Sequence, residues 1–352
     1  MTRPLAEQID VWWSSSITME RLAVAGDLDV RVFMRAASGS RDETVARGGV
    51  TYTSVADSRR WAGAGDKFGM RLARTVRSWR PGVVHLNGWL MPSQSWWLCR
   101  RLPATTRIVV QHHGESPAAS ARSRRAQRAV ARRIDGALFT GAACGMSDEW
   151  VTAEVFPRDF VCYDVVETAV AMPAIDYARA RHTLGVRADP VVLWVGRLTA
   201  GKDPLTALHA LRSLRITHPA AAMWMVFGGG DLLAEVMAAI DRLGLADAVH
   251  LVRSVPHATM PQWYGAADVV LSTSRREGSG YAVIEALSVG CRVAVTGIPA
   301  HRGLVVNSDD VLFPPGDAES AAGAIVKALG QPTPVLPDVV AQLRLAYGLG
   351  GV

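Results

Sequence analysis

Hydrophobic residues recur along the chain in two alternating patterns. Short apolar runs rich in β-branched residues are typical of buried strands, and longer segments between them carry apolar residues at helical spacing. The strands predicted from the first pattern lie at 9–13, 30–34, 83–86, 108–111, 137–140, 191–195, 223–227, 249–252, 269–271 and 293–296. The helices predicted from the second lie at 70–79, 122–134, 175–184, 205–214, 232–243, 281–289 and 318–329. This alternation predicts an α/β fold, with parallel sheets covered by helices.

The alternation is interrupted at 165–173, where a strand ends and an irregular stretch precedes a new β/α series. The chain has 352 residues, more than one domain of about 100–200 residues would need. We therefore predict two doubly wound, Rossmann-like domains, at 1–170 and 171–352. Ligands of such sheets bind beyond the carboxyl ends of the strands, so we expect a site in a cleft between the domains.

Composition indicates a globular protein, with 49% hydrophobic and 20% charged residues. The four cysteines form no Cys-x-x-Cys pair, which argues against a zinc site or a disulfide framework and favours a reducing compartment, the cytoplasm. The N-terminus carries Glu7 and Asp10 where a secretory signal would be apolar. No apolar run approaches the ~20 residues of a membrane span, so we expect a soluble protein.

The net charge of +6 suits an anionic substrate, a membrane surface or nucleic acid. Part of this charge lies in an arginine-rich segment at 122–133, which contains no aromatic residue or leucine to stack on bases or enter lipid. We interpret the segment as a solvated helix face, with docking to a membrane or an acidic acceptor as the alternative. No nucleic-acid partner is expected.

Two groups of polar residues follow predicted strands in the second half. One is the segment GRLTAGK at 196–202, and the other holds Glu277 and Glu285, with seven residues between them, around a Gly-Ser-Gly turn. Lysine occurs at only three positions in this arginine-rich chain, and Lys202 is one of them. Cations and the N–H groups of a helix N-terminus bind a diphosphate, and carboxylates bind hydroxyl groups. Together these features predict a nucleotide-sugar site.

The second half carries four motifs in a fixed order. They read WVGRL at 194–198, FGGGD at 227–231, YGAADVVLS at 264–272 and EGSGYAVIE at 277–285. Together they resemble the motifs of the retaining GT-B glycosyltransferases, specifically the family-four group with two glutamates in EX7E spacing. The resemblance implies the GT-B fold, with two Rossmann-like domains facing across a cleft. The first would bind the acceptor and the second the nucleotide sugar.

The resemblance also implies a role for matching residues of the second domain. Arg197 and Lys202 would hold the diphosphate, while Glu285 would bind the ribose hydroxyls. Glu277 would face the donor sugar. The donor-binding set that it implies is Gly196, Arg197, Lys202, Gly228, Gly229, Arg253, Ser254, Val255, Gly278, Ser279, Gly280, Tyr281 and Glu285.

Two positions depart from the family's usual pattern. The family commonly has an acidic residue where this chain has Gly229, and a glycine where it has Arg253. Both departures fall where the nucleobase should lie, so the sequence leaves the base and the donor sugar open.

The first half matches more loosely, through VVHLNG at 83–88 and IVVQHHGE at 108–115. In similar enzymes a histidine at the end of the second of these strands reaches the donor sugar, and His113 matches it. His112 would point to the opposite face, because strand side chains alternate. The acceptor-side candidates are His85, Asn87, Ser14, Ser15 and Ser16. The three serines stand where relatives carry a glycine-rich loop, and a helix cap with a turn is an equal interpretation of them.

The activity that the resemblance implies is transfer of a hexose-type sugar from a nucleoside-diphosphate sugar to an acceptor hydroxyl, with retention of configuration. The attack would come from the face of the leaving group, and no metal or other cofactor is expected. The catalytic candidates are Glu277, His113, Arg197 and Lys202. The acceptor would be a small molecule, a glycan or a lipid-linked sugar.

Other interpretations stay open. A GT-B epimerase, a sugar phosphorylase and a nucleotide-sugar-binding protein without turnover would share the same donor motifs. Glu277 as a nucleophile or general base, as in glycoside hydrolases, fits less well, because glycine turns and phosphate-binding cations surround it.

Overall fold

The computed structural model describes residues 5–11, 13–26, 28–36, 41–56, 70–88, 92–167, 170, 172–173, 175–306 and 308–349. The chain divides into two compact units. One is formed by Met1–Val170 with Asp338–Val352, and the other by Ala171–Pro337. The C-terminal segment thus belongs to the first unit, whereas the sequence prediction places it in the second domain.

The first unit contains two sheets. Its strands are β1 (Val30–Arg35), β2 (Glu43–Arg47), β3 (Val50–Val55), β4 (Val83–Asn87), β5 (Arg107–Gln111), β6 (Gly136–Phe139) and β7 (Cys162–Asp164). Its helices are α1 (Leu5–Val11), α2 (Trp13–Gly26), α3 (Met70–Trp79), α4 (Pro92–Arg101), α5 (Ala121–Ala131), α6 (Asp148–Thr152) and, at the C-terminus, α14 (Val339–Tyr347). β4, β5, β6 and β7 form a parallel sheet in this order. The other sheet has the order β1-β3-β2, with β1 parallel and β2 antiparallel to β3.

The predicted strand at 9–13 is wrong, because the described part of this segment is helical. Leu5 and Ile9 lie four residues apart on α1 and are 0% and 1% exposed. Both belong to a small core that also contains Val50 and Tyr52 of β3. The buried residues are therefore spaced for one face of a helix. This spacing outweighs the short apolar run that suggested a strand.

The sequence prediction also lacks the β2–β3 hairpin. Gly48 and Gly49 form its turn with φ values of 57° and 80°, as a two-residue turn with positive φ at both positions requires. The Gly-Gly pair is the signal that identifies such a hairpin. In the strands beside it, threonine, serine and charged residues interrupt the apolar ones, so they lack the apolar runs on which the prediction relied.

The C-terminal helix α14 is bonded to the four-stranded sheet of the first unit. Arg107 Nε donates to the Ala346 carbonyl at 2.7 Å, and the Val166 backbone N–H donates to Gln342 Oε1 at 2.8 Å. These bonds to β5 and to the segment after β7 explain why the end of the chain belongs to this unit.

The arginine-rich segment forms α5 and the turn after it. Arg124, Arg128 and Arg133 donate to nearby backbone carbonyls, and Arg128 also pairs with Glu154. These contacts tie part of the segment to neighbouring backbone, and the interpretation as a solvated helix face stays a prediction. In the portion of the chain that the structure describes, no helix has both the length and the apolar character of a membrane span.

The second unit is a six-stranded parallel sheet with helices. Its strands are β8 (Val191–Leu198), β9 (Ala222–Gly230), β10 (Val249–Arg253), β11 (Val269–Ser272), β12 (Arg292–Thr296) and β13 (Leu312–Phe313). Its helices are α7 (Tyr177–Leu184), α8 (Pro204–Thr217), α9 (Leu233–Leu243), α10 (Met260–Ala266), α11 (Tyr281–Ser288), α12 (Pro299–Arg302) and α13 (Ala318–Gly330). The strand order β10-β9-β8-β11-β12-β13 reverses between β8 and β11, as in doubly wound nucleotide-binding sheets. The predicted α/β class is confirmed.

Local capping explains where the predicted helices of this unit begin and end. The side chains of Asp176, Asp203 and Asp317 each accept a hydrogen bond from the backbone N–H three residues later. Gly185 and Gly244 end α7 and α9 in the left-handed conformation that glycine adopts at least cost.

Asp268 joins the start of this sheet to α7. Its carboxylate accepts hydrogen bonds from the Val191 backbone N–H at 2.7 Å, Arg181 Nη1 at 3.0 Å and the Tyr177 hydroxyl at 2.7 Å. The Arg181 and Asp268 side chains are each only 14% exposed. Removing the carboxylate of this largely enclosed pair leaves the Arg181 charge with only backbone carbonyls as hydrogen-bond partners among the described residues.

We therefore expect Asp268→Ala to lower the free energy of unfolding by about 3–5 kcal/mol, measured by urea denaturation. Asp310→Ala is the matched control, because Asp310 pairs with Lys327 while the two side chains are 66% and 59% exposed. The control should change stability by less than about 1 kcal/mol. Equal losses in the two variants would contradict the assigned role of Asp268.

Candidate functional site

The carboxyl ends of β8 and β11 are neighbours at the reversal of strand order in the second unit. Lys202 follows β8 and Glu277 follows β11, and Lys202 Nζ donates to Glu277 Oε1 in an ion pair. The Ser274 hydroxyl donates to the same oxygen at 2.6 Å. The side chains of Lys202 and Glu277 are 29% and 12% exposed, so the pair is partly open to a ligand.

Buried hydrogen bonds join the two strand ends beneath this pair. Thr273 Oγ1 shares its proton between the carbonyl oxygens of Lys202 and Asp203, at 3.0 and 2.8 Å, and accepts a hydrogen bond from Trp194 Nε1 at 3.1 Å. Asp203 also pairs with Arg275 at 2.7 Å. The backbone that carries Lys202 is therefore fixed before a ligand binds, as electrostatic preorganisation requires.

Arg197 lies at a break in the ladder between β8 and β9. Gly196 pairs with Phe227 and Leu198 with Gly230, so one residue of β8 faces two of β9. A Cβ atom on Gly230, whose φ is 136°, would lie 2.1 Å from the Leu198 carbonyl oxygen, so only glycine fits there. Leu198 is fully buried and Arg197 is exposed, consistent with the tendency of such irregularities to redirect side chains.

The residues predicted to border the nucleoside follow β9 and β10. Gly228 is exposed and Gly229 is half-buried with φ 130°. Arg253 ends β10 with an exposed side chain, and the Ser254 backbone N–H donates to the Phe227 carbonyl at 2.8 Å. Val255 is half-buried. These residues share the carboxyl edge of the sheet with Lys202 and Glu277.

The Gly-Ser-Gly turn leads directly into α11. Gly278 is half-buried, Ser279 is buried, and Gly280 caps the helix with φ 70°. Tyr281 begins the helix and is 40% exposed. The first N–H groups of a helix have no intrahelical acceptor, so the start of α11 can bind an anion beside Glu277.

His301 supports this turn from below. A Cβ atom on Gly280 would lie 3.3 Å from His301 Cδ2. The ring is fully buried, with Nδ1 at 3.0 Å from both the carbonyl and the hydroxyl of Thr296, and Nε2 at 3.4 Å from the Ser272 hydroxyl. Burial lowers the pKa of His301 to about 4, although the Glu277 carboxylate acts in the opposite direction. His301 is therefore a neutral part of the core.

Glu285 lies on α11 and has hydrogen-bond partners of its own, different from those of Glu277. It is 7% exposed, and the Tyr264 hydroxyl donates to its Oε2 at 2.6 Å. Burial raises the pKa of Tyr264 well above its usual range, and Glu285 acts in the same direction, so this hydroxyl stays protonated. His257 Nε2 lies 2.8 Å from Glu285 Oε1, and its side chain is 47% exposed.

In the first unit, His113 contacts two polar side chains. Its Nδ1 lies 2.7 Å from Glu167 Oε1, and its Nε2 contacts the Asn87 side-chain amide. The His113 backbone N–H donates to Glu115 Oε2 at 2.6 Å. His112 is buried against Phe139, with ring centroids 4.8 Å apart, so the two histidines have different surroundings. The segments after β4, β5 and β7 thus meet around His113.

His85 does not fit the predicted acceptor-side role. Its Nδ1 lies 2.6 Å from the Tyr347 hydroxyl of α14, and burial lowers its pKa to about 4, with His113 acting in the same direction. It is a neutral histidine that joins α14 to β4. The sequence prediction missed this because Tyr347 is 262 positions away.

The predicted serine loop is also wrong, because Ser14, Ser15 and Ser16 lie on α2. Ser16 is buried at 4% exposure, and its carbonyl accepts a hydrogen bond from the Tyr52 hydroxyl at 3.4 Å. It therefore supports the helix packing. Trp12, which belongs to the predicted strand at 9–13, lies outside the described residues.

Several residues that shape the site are absent from the sequence prediction. They are Asp203, Thr273, Ser274, His257, His301 and Glu167. The Thr-Ser pair directly after β11 was a usable signal, because hydroxyls at strand ends often bond to the next turn. Among the described residues, no cluster of three or more His, Cys, Asp or Glu side chains is arranged to hold a metal ion.

Two solved structures resemble the fold of this chain over nearly its whole length. Sucrose-phosphate synthase from Thermosynechococcus elongatus matches with a TM-score of 0.64 and 19% identity, covering 97% of this chain and 88% of that one. An E. coli trehalose-6-phosphate structure bound with UDP-2-fluoro glucose matches with a TM-score of 0.62 and 11% identity, covering 99% and 92%. These likenesses establish the class of the fold as GT-B.

A curated relative agrees with this class. The D-inositol 3-phosphate glycosyltransferase of Segniliparus rotundus is 29% identical over 241 residues, 63% of this chain and 53% of the relative. The chain therefore spans about half the length of this relative.

Two family models match the chain. Residues 180–338 match Glycosyl transferases group 1, and residues 17–145 match Glycosyl transferase 4-like domain. The chain belongs to this family of GT-B glycosyltransferases, as its sequence motifs predict.

The buried state of His301 predicts how acid affects stability. Below its ordinary pKa of 6.5 the unfolded chain binds a proton that folded His301 binds only near pH 4. Stability is therefore lost as the pH falls from 6.5 to 4, by up to about 3 kcal/mol from this residue. In urea denaturation, His301→Gln should show a shallower loss over this range than the wild type, whereas His182→Gln, at an exposed position on α7, should match the wild type. Identical pH slopes for His301→Gln and the wild type would contradict this account.

Proposed function

We propose that the chain is a retaining glycosyltransferase, which transfers a hexose-type sugar from a nucleoside-diphosphate sugar to an acceptor hydroxyl. The observation that carries this proposal is the Lys202–Glu277 ion pair at the switch in strand order, directly before α11. An ammonium, a carboxylate and a helix N-terminus in one place match a diphosphate joined to a sugar.

The charges of the reaction explain why these groups are needed. Breaking the bond between the anomeric carbon and the diphosphate develops positive charge on the sugar and negative charge on the leaving group. Lys202, Arg197 and the N-terminus of α11 would stabilise the leaving diphosphate, so the proposed reaction needs no metal ion. The acceptor would attack from the leaving-group face and give its proton to a phosphate oxygen, which retains the anomeric configuration.

Glu277 would position the donor sugar. The bonds from Lys202 and Ser274 both use Oε1, so Oε2 is the oxygen that a sugar hydroxyl would meet. When a phosphate oxygen binds Lys202, the ammonium would contact both ligand and carboxylate, because it has three donors. The carboxylate would therefore stay oriented throughout the reaction.

Glu285 would bind the ribose hydroxyls. Tyr264 fixes Oε2, whereas the partner of Oε1 is the half-exposed His257. A ribose hydroxyl would take the place of His257 at Oε1. The buried carboxylate would then have a hydrogen-bond donor at Oε1 in both states, which avoids the cost of an unsatisfied buried group.

The family and its relatives support a nucleotide-sugar donor and a hydroxyl acceptor. A UDP- or GDP-hexose is the donor that we propose, and the acceptor is a hydroxyl of a small polyol, a glycan or a lipid-linked sugar. The cysteines Cys99, Cys144, Cys162 and Cys291 are free thiols, which supports a cytoplasmic location.

A thermal-shift screen against UDP-, GDP-, ADP- and dTDP-sugars tests the donor class. A ligand that binds the folded state raises the melting temperature by mass action, by an amount that grows with its concentration. We expect at least one nucleotide sugar to give a saturable increase. No increase from any of them at millimolar concentration would refute the proposed donor class.

Lys202→Ala should weaken binding of the nucleotide sugar found in this screen by about 1–3 kcal/mol, because it removes a charge-assisted hydrogen bond. Calorimetry measures the affinity, and the melting temperature reports any separate loss of stability. Lys327→Ala is the matched control, since Lys327 lies on α13 with a 59% exposed side chain. Lys202→Ala binding as tightly as the control would refute the role of Lys202.

The two glutamates should separate in their effects. Glu277→Gln should reduce transfer more than it reduces binding of the free nucleoside diphosphate, because Glu277 acts on the sugar. Glu285→Ala should weaken both, because the ribose is present in both ligands. Product assays and calorimetry measure the two quantities, with Glu319→Gln, an exposed position on α13, as the control. Parallel losses of binding and transfer in both site variants would contradict this division of roles.

A further inference from the structure

Glu167 lies in the first unit, outside the motifs that match the family, and contacts the histidine assigned to the donor sugar. It follows β7 by three residues, and its side chain is 6% exposed. Its Oε1 lies 2.7 Å from His113 Nδ1, and the His113 side chain is 25% exposed. A buried carboxylate therefore holds one nitrogen of a ring whose other nitrogen contacts the exposed Asn87.

Hydrogen bonds from neighbouring segments fix the position of Glu167. Gln111 Nε2 donates to the Glu167 carbonyl at 3.0 Å, and Gln111 is itself 5% exposed. Gln111 and His113 are two residues apart, so both reach the segment after β7 from the end of β5. The nearby Val165 backbone N–H donates to Phe139 of β6 at 3.0 Å. The backbone that carries Glu167 is consequently held against the ends of β5 and β6.

A carboxylate at this position determines how the imidazole is protonated. A carboxylate accepts hydrogen bonds and has none to donate, so Nδ1 must carry a proton whether the ring is neutral or charged. The Asn87 amide can donate to Nε2 or accept from it, because turning the amide exchanges its oxygen and nitrogen. Glu167 thus fixes both the ring orientation and the nitrogen that faces outward.

We propose that Glu167 is a positioning residue for sugar transfer, which acts by holding His113 with a proton on Nδ1, so that Nε2 is the nitrogen left to contact Asn87 or a substrate. This inference rests on the proposed function for its catalytic consequence. The orientation of the ring is a property of the protein alone and is tested independently. A carboxylate behind a histidine that contacts substrate is a general means of fixing its tautomer.

The protonation of His113 is measured by long-range ¹H–¹⁵N NMR of the full chain labelled at histidine, without any ligand. The chain has nine histidines, and the spectrum of His113→Gln identifies the His113 signals. At pH 8 we expect a protonated Nδ1 in the wild type and in Glu154→Gln, a control whose carboxylate is 78% exposed. Glu167→Leu, which keeps a similar volume without an acceptor, should shift the proton to Nε2. A wild type with an unprotonated Nδ1, or no change in Glu167→Leu, overturns the proposal.

Hydrolysis of UDP-glucose and GDP-mannose, with water as the acceptor of the sugar and followed as released nucleoside diphosphate, measures the consequence for catalysis. Glu167→Leu should lower kcat about ten- to a hundredfold with little change in KM, as expected when a group that reaches the sugar is misplaced. Glu167→Gln should be affected less, because its amide oxygen can still accept from Nδ1. The melting temperatures of all variants identify any loss of folding.

A double-mutant cycle separates this role from a structural one. If Glu167 acts through His113, then Glu167→Leu combined with His113→Gln should be no slower than His113→Gln alone. Multiplicative losses in the double variant would overturn the proposal. If the wild type hydrolyses neither donor while Nδ1 is protonated as expected, the catalytic consequence of Glu167 is refuted and the ring orientation stands.

Discussion

The central interaction is the ion pair between Lys202 and Glu277 at the reversal of strand order in the second unit. Opposite charges that meet at this edge of a doubly wound sheet lie where ligands of such sheets bind. Each residue follows a different strand, so the pair forms only when β8 and β11 are neighbours. The strand order that defines the fold of this unit therefore also brings the two charges of the site together.

Hydrogen-bonding groups around the ion pair keep it in position. Thr273 and Asp203 fix the backbone of the Lys202 turn, and Ser274 orients Glu277. His301 stays neutral beneath the glycine turn, so it adds no charge that would compete with Lys202 or Glu277. The support beneath the pair thus consists of hydrogen bonds and the ion pair between Asp203 and Arg275. This support resembles the preorganised environments that stabilise developing charge in enzymes.

The second unit could be predicted well because its strands are apolar runs buried on both faces, and its helices carry clear caps. The predicted strands at 191–195 and 223–227 lie within β8 and β9. The first unit was harder. Its hairpin is mostly polar, its first helix contains a short apolar run, and its C-terminal helix joins strands far away in sequence. Long-range packing of this kind leaves little local signal.

The candidate site could likewise be predicted only in part from the sequence. Lys202, Glu277 and Glu285 could be found from composition and spacing, but their mutual contacts could not. The sequence predicted that Lys202 would contact phosphate, and the structure adds its bond to Glu277. Glu167 and His257 carry no motif, since each acts through one partner brought near by the fold. Residues that orient others are defined by geometry and are therefore the hardest to recognise in a single sequence.

Recognition of a diphosphate by the charges at this strand switch is the central requirement of the proposed function. Calorimetric titration with UDP, GDP and ADP, each beside its monophosphate, measures that recognition directly. We expect the dissociation constant of at least one nucleoside diphosphate to be about tenfold lower than that of its monophosphate, because the diphosphate adds a charge-assisted contact. Equal affinity for the two forms of every nucleotide, or no binding at all, would contradict it.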